Sequence, residues 1–364
     1  VGGDLAYGLT LVHNSLVWEL EEFVVGPPGD QTIQTRPVPG ASSNAGLGWT
    51  LTLGMLIPPS TPPTNAHTLN WLYIGPDGAQ HVLYPGELHV SVPPIPAWDD
   101  GSSTTLYSRD GSYLRMRRID ADTREIDFPN GTIHTFEDQG ADSAVGWELV
   151  EIRDHFGNAL GVTYAFDQQP NPTLWTWTLT DNHGRQQEVD LSFDAPLGNW
   201  IVDEVRLTAF GGTTATYGFE YSSESVEQCY RNTKDDPDPF LTLPLLTRLT
   251  LPDGTDYEML DGAVPAYGLD CGSQAEGIAG ALQRLTLRTL GQLTWEYGVY
   301  QLPTDNRISA EFQSGVVRRR QLDATGGVLG EWRYAMEAID VPVAMGEMKP
   351  GETRTYVEYP TGEC

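Results

Sequence analysis

The acidic stretch KDDPDP holds the most concentrated group of metal-ligand side chains in the sequence. It places Asp235, Asp236 and Asp238 close together. Carboxylate oxygens are the hard ligands that Ca²⁺ prefers, but the intervening prolines and the missing loop glycine exclude an EF-hand. A solvated acidic loop is therefore the favoured interpretation, and the three aspartates are a weak calcium candidate.

Four tryptophans are candidates for contacting a glycan, because an indole ring offers a flat apolar face to a sugar. Within LWTWTLT, however, Trp175 and Trp177 alternate with threonines, which is the pattern of one buried strand face. A buried aromatic ladder is the favoured interpretation, and sugar stacking is the alternative. The candidate glycan-contact residues are Trp175, Trp177, Trp200 and Trp295.

No arrangement of residues typical of catalysis stands out. The chain lacks a Gly-x-Ser-x-Gly elbow, a phosphate-binding loop and a complete Gly-x-Gly-x-x-Gly, and its 7 histidines are scattered. We therefore expect no enzyme activity, no cofactor and no bound metal. A β-sheet hydrolase that uses two of the 50 acidic residues is a third hypothesis, because glycosidases need facing carboxylates that a sequence does not reveal.

The three cysteines predict at most one disulfide. Cys229 and Cys271 flank the segment LLTRLTLPDGTDYEML and each stands in a loop-like context, so we expect them to form a bridge. A disulfide is typical of an oxidising compartment, which favours an extracellular or bacterial cell-surface location. This pairing leaves Cys364 over, either free or paired outside the chain.

Composition excludes several classes of partner. The 364 residues include 50 acidic and 21 basic side chains, a formal net charge of −29. This charge repels phosphate backbones and anionic lipid, so nucleic acid is not expected as a partner. No apolar run reaches the roughly 18 residues of a membrane span, and no signal-peptide pattern is present. The missing initiator methionine predicts that Val1 lies inside a longer polypeptide.

The elements that must position these side chains read as β-hairpins. Turn signals recur between short segments that alternate apolar and polar residues, which is typical of antiparallel strands with one buried face. Asn130-Gly131 predicts a type I′ turn with positive φ at both residues, and further turns are predicted at Gly157-Asn158 and Asp253-Gly254. Their irregular spacing argues against a propeller. We expect an all-β fold in which antiparallel hairpin repeats form a long curved sheet, part of a spiralling hollow shell, with minimal helix.

Three regions are expected along the chain. Residues 1–57 form an N-terminal β entry or plug module, 58–68 form a Pro-rich connector, and 69–364 form the hairpin array. The segment 273–285 is predicted to be a loop or short turn because it contains Gly277 and Gly280.

The order of several stretches is similar to that of a known repeat family. LVEIRDHFGNALGVTYAFD (149–167) reads as strand, Asp, Gly-Asn turn and a strand ending near Tyr, while GDLAYGLTLVHNS (3–15) and GLGWTLTLGMLI (46–57) precede the hairpins. The chain thus resembles bacterial Rhs/YD-repeat proteins, whose relatives include toxin-complex shell components and teneurins. It departs from them because the Tyr-Asp pair is missing from most copies, and neither the self-cleaving core segment nor a C-terminal toxin is found.

The resemblance implies a non-enzymatic shell segment that encloses a cargo or toxin polypeptide, in a protein that is secreted or displayed at the bacterial surface. Its partners would be the remaining parts of the same or a larger polypeptide and the enclosed cargo. The alternative is a cell-surface adhesion or carbohydrate-binding β module with glycans or a surface partner. A shell should pack its aromatic side chains away, whereas a lectin should leave a cluster exposed in a groove.

Overall fold

The computed structural model describes residues 5, 7–25, 32–40, 42–59, 70–85, 104–138, 147–228, 240–269, 279–302, 311–339 and 352–360. Within these ranges the chain is all-β, which confirms the predicted fold class; the one helical element is a 3-10 turn at Phe210–Gly212. Residues 279–285, the described part of the segment 273–285, contain no helix. No helix in the described residues is long and apolar enough to cross a membrane.

Three small antiparallel pairs lie outside the main sheet. They are β1 (Leu11–His13) with β4 (Trp49–Leu51), β2 (Trp18–Val25) with β3 (Thr32–Pro39), and β20 (Leu260–Asp261) with β21 (Val264–Pro265).

All other strands join one antiparallel sheet, in which nearly every strand pairs with its neighbour in sequence. Its first part holds β5 (Met55–Ile57), β6 (Trp71–Ile74), β7 (Gln80–Pro85), β8 (Thr105–Ser108), β9 (Arg115–Arg118), β10 (Thr123–Asp127), β11 (Ile133–Asp138) and β12 (Trp147–Arg153). The second part holds β13 (Ala159–Phe166), β14 (Leu174–Asp181), β15 (Gln186–Asp194), β16 (Asn199–Thr208), β17 (Thr214–Glu227), β18 (Phe240–Thr250), β19 (Asp256–Glu258), β22 (Arg284–Thr286), β23 (Gln292–Leu302), β24 (Glu311–Leu322), β25 (Val328–Ile339) and β26 (Glu352–Glu358).

The sheet forks at β12, and the fork closes a small barrel. One half of the free edge of β12 pairs with β5, where Trp147 and Glu148 lie opposite Leu56 and Met55. The other half, Glu151–Arg153, pairs with β13 and continues the sheet. Strands β5 to β12 therefore form a closed ring, and β13 to β26 extend from it as a wall. Inward side chains such as Leu56 and Met116 are completely buried, as expected where eight strands leave room only for side chains.

Eight hairpin turns share one geometry and lie along one edge of the sheet, called here the tight-turn rim. In each five-residue turn, the amide of the first residue donates to the carbonyl of the fifth. The amide of the fourth residue donates to the carbonyl of the first. The turns span 75–79, 128–132, 154–158, 181–185, 209–213, 251–255, 287–291 and 323–327. Alternate connections of an antiparallel sheet lie at the same edge, so the longer 108–114 connection between β8 and β9 also lies at this rim. The intervening connections form the opposite edge, the loop rim.

The predicted type I′ turn at Asn130-Gly131 is wrong. Positive φ occurs at Gly131 (φ 82°) and not at Asn130. Pro129 extends the loop to three residues, because its fixed φ suits the second position of a type I turn, which glycine then completes in the left-handed region. Gly157 and Gly254 have positive φ at the same turn position, while Asn158 and Asp253 bond their own turns through their side chains.

The concave face of the wall packs against the N-terminal segment. The Leu47 amide donates to the Pro244 carbonyl (2.9 Å), and the Val202 amide donates to the Asn44 carbonyl (2.8 Å). The Trp18 Nε1 atom donates to the Ala279 carbonyl (2.8 Å). These contacts with β16, β18 and the segment before β22 mean that the sheet curls around Trp18 and residues 42–53. The division into 1–57, 58–68 and 69–364 stays a prediction.

The opposite, convex face carries ladders of charge. Arg206 on β16 reaches Glu188 (2.8 Å), Asp190 (2.6 Å) and Glu204 (2.6 Å). Arg117 bonds Glu125 and Asp127 in the same way on the barrel. A guanidinium group has five donors in a planar fork, so one arginine satisfies several carboxylates. This explains how strands with many acids and few basic residues remain paired.

Candidate functional site: an aromatic cleft on the concave face

Trp175, Trp177 and Leu179 lie along β14 and face the concave side. Trp177 and Leu179 are buried, with 6% and 2% of their surface exposed, and Trp175 is half-buried. Their neighbours across the sheet are inward residues, since Trp177 lies opposite Tyr164 and Val189. Strict alternation on a sheet with one buried face produces this orientation.

Six aromatic side chains form a continuous cluster at the loop-rim end of β13 to β16. Trp175 and Trp177 meet edge to face, with ring centroids 5.4 Å apart, and Phe166 stacks on Trp175 at 5.7 Å. Trp200 contacts Phe166 and Phe193, both at 5.5 Å. The cluster consists of Tyr164, Phe166, Trp175, Trp177, Phe193 and Trp200. Such pairs stabilise a sheet beyond the area they bury.

A cleft of about 60 Å³ lies between this cluster and the N-terminal segment, and Glu148 lines it. Burial raises the pKa of the Glu148 carboxyl to about 7. No Lys, Arg or His is among the described residues that line the cleft. The Trp177 Nε1 atom, also buried, has no hydrogen-bond partner within the described chain, whereas the Tyr164 hydroxyl donates to the Leu149 carbonyl (2.7 Å).

The chemistry that this cleft supports is binding. Its walls offer ring faces, the unpartnered Nε1 donor of Trp177 and the carboxyl of Glu148, whose pKa lies near neutral pH. Glu148 is the one acidic residue among the described residues that line the cleft, whereas a glycosidase uses a pair of carboxyl groups.

Trp295 lies apart from the cluster. It sits on β23 opposite Arg319, and its backbone amide donates to the Gln283 carbonyl (2.9 Å). It is half-buried against the core. The structure thus brings together three of the four candidate glycan-contact tryptophans.

The remaining predicted site residues lie outside the described part of the chain. These are the calcium candidates Asp235, Asp236 and Asp238 and the disulfide candidates Cys229 and Cys271. Among the residues that the structure describes, no group of three His, Cys, Asp or Glu side chains is placed to hold a metal ion.

No local sequence signal marks Glu148 as a site residue. It alternates with the inward residues Trp147 and Leu149, a pattern that predicts an outward, solvated carboxyl. The fork at β12 changes this, because the outer face of the barrel at Glu148 and Met55 is covered by the wall beyond it. Only the non-local β5–β12 pairing creates that burial, and no local signal encodes it.

No protein-family model matches the chain, and no curated protein sequence matches it significantly. Among solved structures, a partial likeness is found to the crystal structure of TcdB2-TccC3-Cdc42, at 13% identity and a TM-score of 0.26 over 90% of this chain and 16% of that chain. The N-terminal domain of effector protein SpvB from Salmonella typhimurium strain LT2 is 15% identical, with a TM-score of 0.24 over 84% of this chain and 98% of that one. These TM-scores are too low to support a functional argument, so the proposals below depend on the chain's own geometry.

Proposed function

We propose that this chain is a non-enzymatic section of a hollow β shell that encloses polypeptide on its concave face. The observation that carries the proposal is the N-terminal segment, which the wall already surrounds. The wall holds Asn44 and Leu47 through their backbone groups, and the Asn199 side chain donates to the Ser43 carbonyl (3.0 Å). Contacts to backbone tolerate many sequences, which suits a wall that encloses a chain without selecting it.

The position of the charge supports the same proposal. The ion-pair ladders face outward, and the concave face carries aromatic and aliphatic side chains. An enclosed polypeptide would therefore meet apolar surface and backbone bonding groups, while the acidic exterior would keep the particle soluble. The remaining parts of a longer Rhs-like polypeptide and its cargo are the proposed partners.

The test uses the natural reading frame that contains residues 1–364. Trypsin cleavage is mapped in that protein and in a Leu56→Glu variant, which places a charge inside the β5–β12 closure. The control is Leu329→Glu, at an exposed position near the start of β25. We expect a segment outside 1–364 that resists trypsin in the natural and control proteins and is cut in the Leu56→Glu variant. A frame with no further segment, or one cut equally in all three proteins, would contradict the proposal.

Absence of catalysis is the second part of the proposal. Generic esterase, protease, glycosidase and phosphatase substrates should react at buffer rates in the presence of the purified chain. Turnover that a single carboxylate or histidine substitution abolishes would show that the chain is an enzyme.

An extracellular or cell-surface location is also proposed, and it depends on the predicted Cys229–Cys271 bridge. Intact mass after alkylation without reductant checks it. We expect one alkylated thiol, that of Cys364, in protein isolated from the native source. Three alkylated thiols would rule the bridge out and remove this support.

Glycan binding is the second candidate function, and one observation favours it. Phe193 is 51% exposed and contacts Trp200, so the aromatic cluster presents an exposed ring to solvent. Glycan-array binding that Trp200→Ala removes and Trp295→Ala leaves intact would favour adhesion. The packing of the other rings against one another favours the shell.

A further inference from the structure

A further cavity lies in the mouth of the barrel formed by β5 to β12. At the loop-rim end, Arg124 fills the interior, its guanidinium 5.1 Å from the Trp71 ring and 4.6 Å from the Trp147 ring. At the tight-turn end the filling stops, and a cavity of about 380 Å³ opens between the 75–79 and 128–132 turns. Barrel mouths are among the preferred places for small-ligand sites.

Two polar atoms in the wall of this cavity have no partner. Tyr73 is 1% exposed and His134 is 7% exposed, and both line the cavity. The Tyr73 hydroxyl and the His134 Nδ1 atom make no hydrogen bond within the described chain. An unpaired buried polar group destabilises the folded state, so two of them in one cavity point to a ligand that supplies the missing bonds.

The electrostatics of the cavity select the charge of that ligand. Burial lowers the pKa of His134 to about 4, so its ring is neutral at pH 7 and can accept a hydrogen bond. Burial and the neighbouring groups Tyr7 and Asp77 raise the pKa of Tyr73, so its hydroxyl keeps its proton and its lone pairs. No Lys or Arg is among the described lining residues, and the second lining histidine, His81, bonds the Asp110 carboxylate at 2.6 Å.

Aromatic faces complete the site. Phe128 lies 4.4 Å from the His134 ring and 5.8 Å from the Tyr73 ring, measured between centroids. The faces of such rings carry negative potential and attract cations. Asp77, on the 75–79 turn, adds a carboxylate at the entrance.

We propose that the barrel mouth binds a primary ammonium group. Its three N–H donors match the Tyr73 hydroxyl oxygen, the His134 Nδ1 atom and the Asp77 carboxylate, and its charge suits the aromatic walls and the net charge of −29. A free alkylamine and a lysine side chain both carry this group. The inference does not depend on the shell proposal, because the barrel closes within residues 55–153.

Isothermal titration of the whole chain tests the site with two probes, cadaverine as the free amine and Nα-acetyl-lysine methylamide as the lysine side chain. Pentanol is the neutral control of similar length. We expect binding of at least one amine and none of pentanol. Cadaverine alone would identify the source as a free amine, whereas binding of the lysine derivative would identify a peptide side chain.

The variants are Tyr73→Phe, which removes only the unpaired hydroxyl, and Asp77→Asn, which keeps the side-chain acceptor for the Ala79 amide (3.1 Å). Each should weaken amine binding roughly tenfold, about the worth of one charge-assisted hydrogen bond. Asp253→Asn in a distant turn should leave it unchanged. Absence of amine binding, equal binding of pentanol, or affinities unaffected by Tyr73→Phe and Asp77→Asn would each overturn the proposal, and the cavity would then hold water only.

Discussion

At the scale of single residues, Glu148 is an acidic side chain on β12 in largely apolar surroundings. It lines the cleft together with Tyr164, Trp175 and Trp177 and is partly buried there. Its neighbour across the β11–β12 pairing is another acid, Glu137. Burial of a carboxyl favours the protonated form, so the charge of this residue is coupled to the stability of the fold.

Glu148→Gln should therefore change how stability depends on pH. The folded chain holds the proton to a pKa of about 7, whereas the unfolded chain releases it near the ordinary value of about 4.3. The stabilising contribution is full below the unfolded value and is lost as pH rises through about 7. Urea unfolding should show the natural chain less stable at pH 8 than at pH 5, by at most about 3 kcal/mol.

The glutamine variant should show a smaller decrease over that interval and should be the more stable chain at pH 8. Glu358→Gln, an exposed change on β26, is the matched control and should keep the natural pH profile. A Glu148→Gln variant with the same profile as the natural chain would contradict the assigned burial.

At the scale of elements, the tight turns are the most regular feature of the chain. Seven of the eight have glycine at the fourth position and the eighth has Leu290, whose φ is 64°. A side chain with a Cβ atom is strained in this left-handed region. Leu290 is 66% exposed, so little packing compensates for that strain.

Leu290→Gly should stabilise the protein by about 0.5–1 kcal/mol, since the relief of strain exceeds the entropy that glycine adds to the unfolded chain. Gly254→Leu makes the reverse change at the equivalent position, where φ is 77° and no atom lies within 4 Å of an added Cβ. It should cost roughly 1–2 kcal/mol. Thermal melts of both variants check the pair; a lower melting temperature for Leu290→Gly would contradict the assigned backbone conformation.

The local sequence pattern predicted the strand faces and the tight turns, but it did not predict the long-range pairing of β5 with β12. Trp175, Trp177 and Leu179 follow the two-residue period of a β-strand. Gly131, Gly157 and Gly254 are at positions of positive φ, which glycine adopts without strain. Both properties can be predicted from the local sequence. The closure of β5 on β12 joins residues far apart in the chain and covers only two residue pairs. Such a short contact leaves no pattern, so neither the barrel nor the burial of Glu148 was foreseen.

For the molecule as a whole, that closure is a small contact with a large structural consequence. Leu56 is completely buried inside the barrel and lies opposite Trp147. Without the β5–β12 pairing, β5 would lose its packing against the barrel. The cleft beside the aromatic cluster would then lose one of its walls.

Leu56→Ala should cost roughly 2–5 kcal/mol, the range for a buried leucine that leaves a cavity. Leu329→Ala removes the same atoms from a side chain that is 63% exposed and should change stability by less than about 0.5 kcal/mol. Urea unfolding measures both. Equal effects of the two substitutions would mean that the β5–β12 pairing contributes little to the fold.

The two rims also bear on how such a chain can lengthen through duplication of its gene segment. One unit of two strands and a tight turn leaves the loop rim and returns to it, with its inward and outward residues unchanged. A duplicated unit therefore joins the wall without reversing any strand or exposing any core side chain. The circumference would grow in steps of two strands, roughly 10 Å each. Duplication of one gene segment would therefore enlarge the enclosed space by one hairpin at a time.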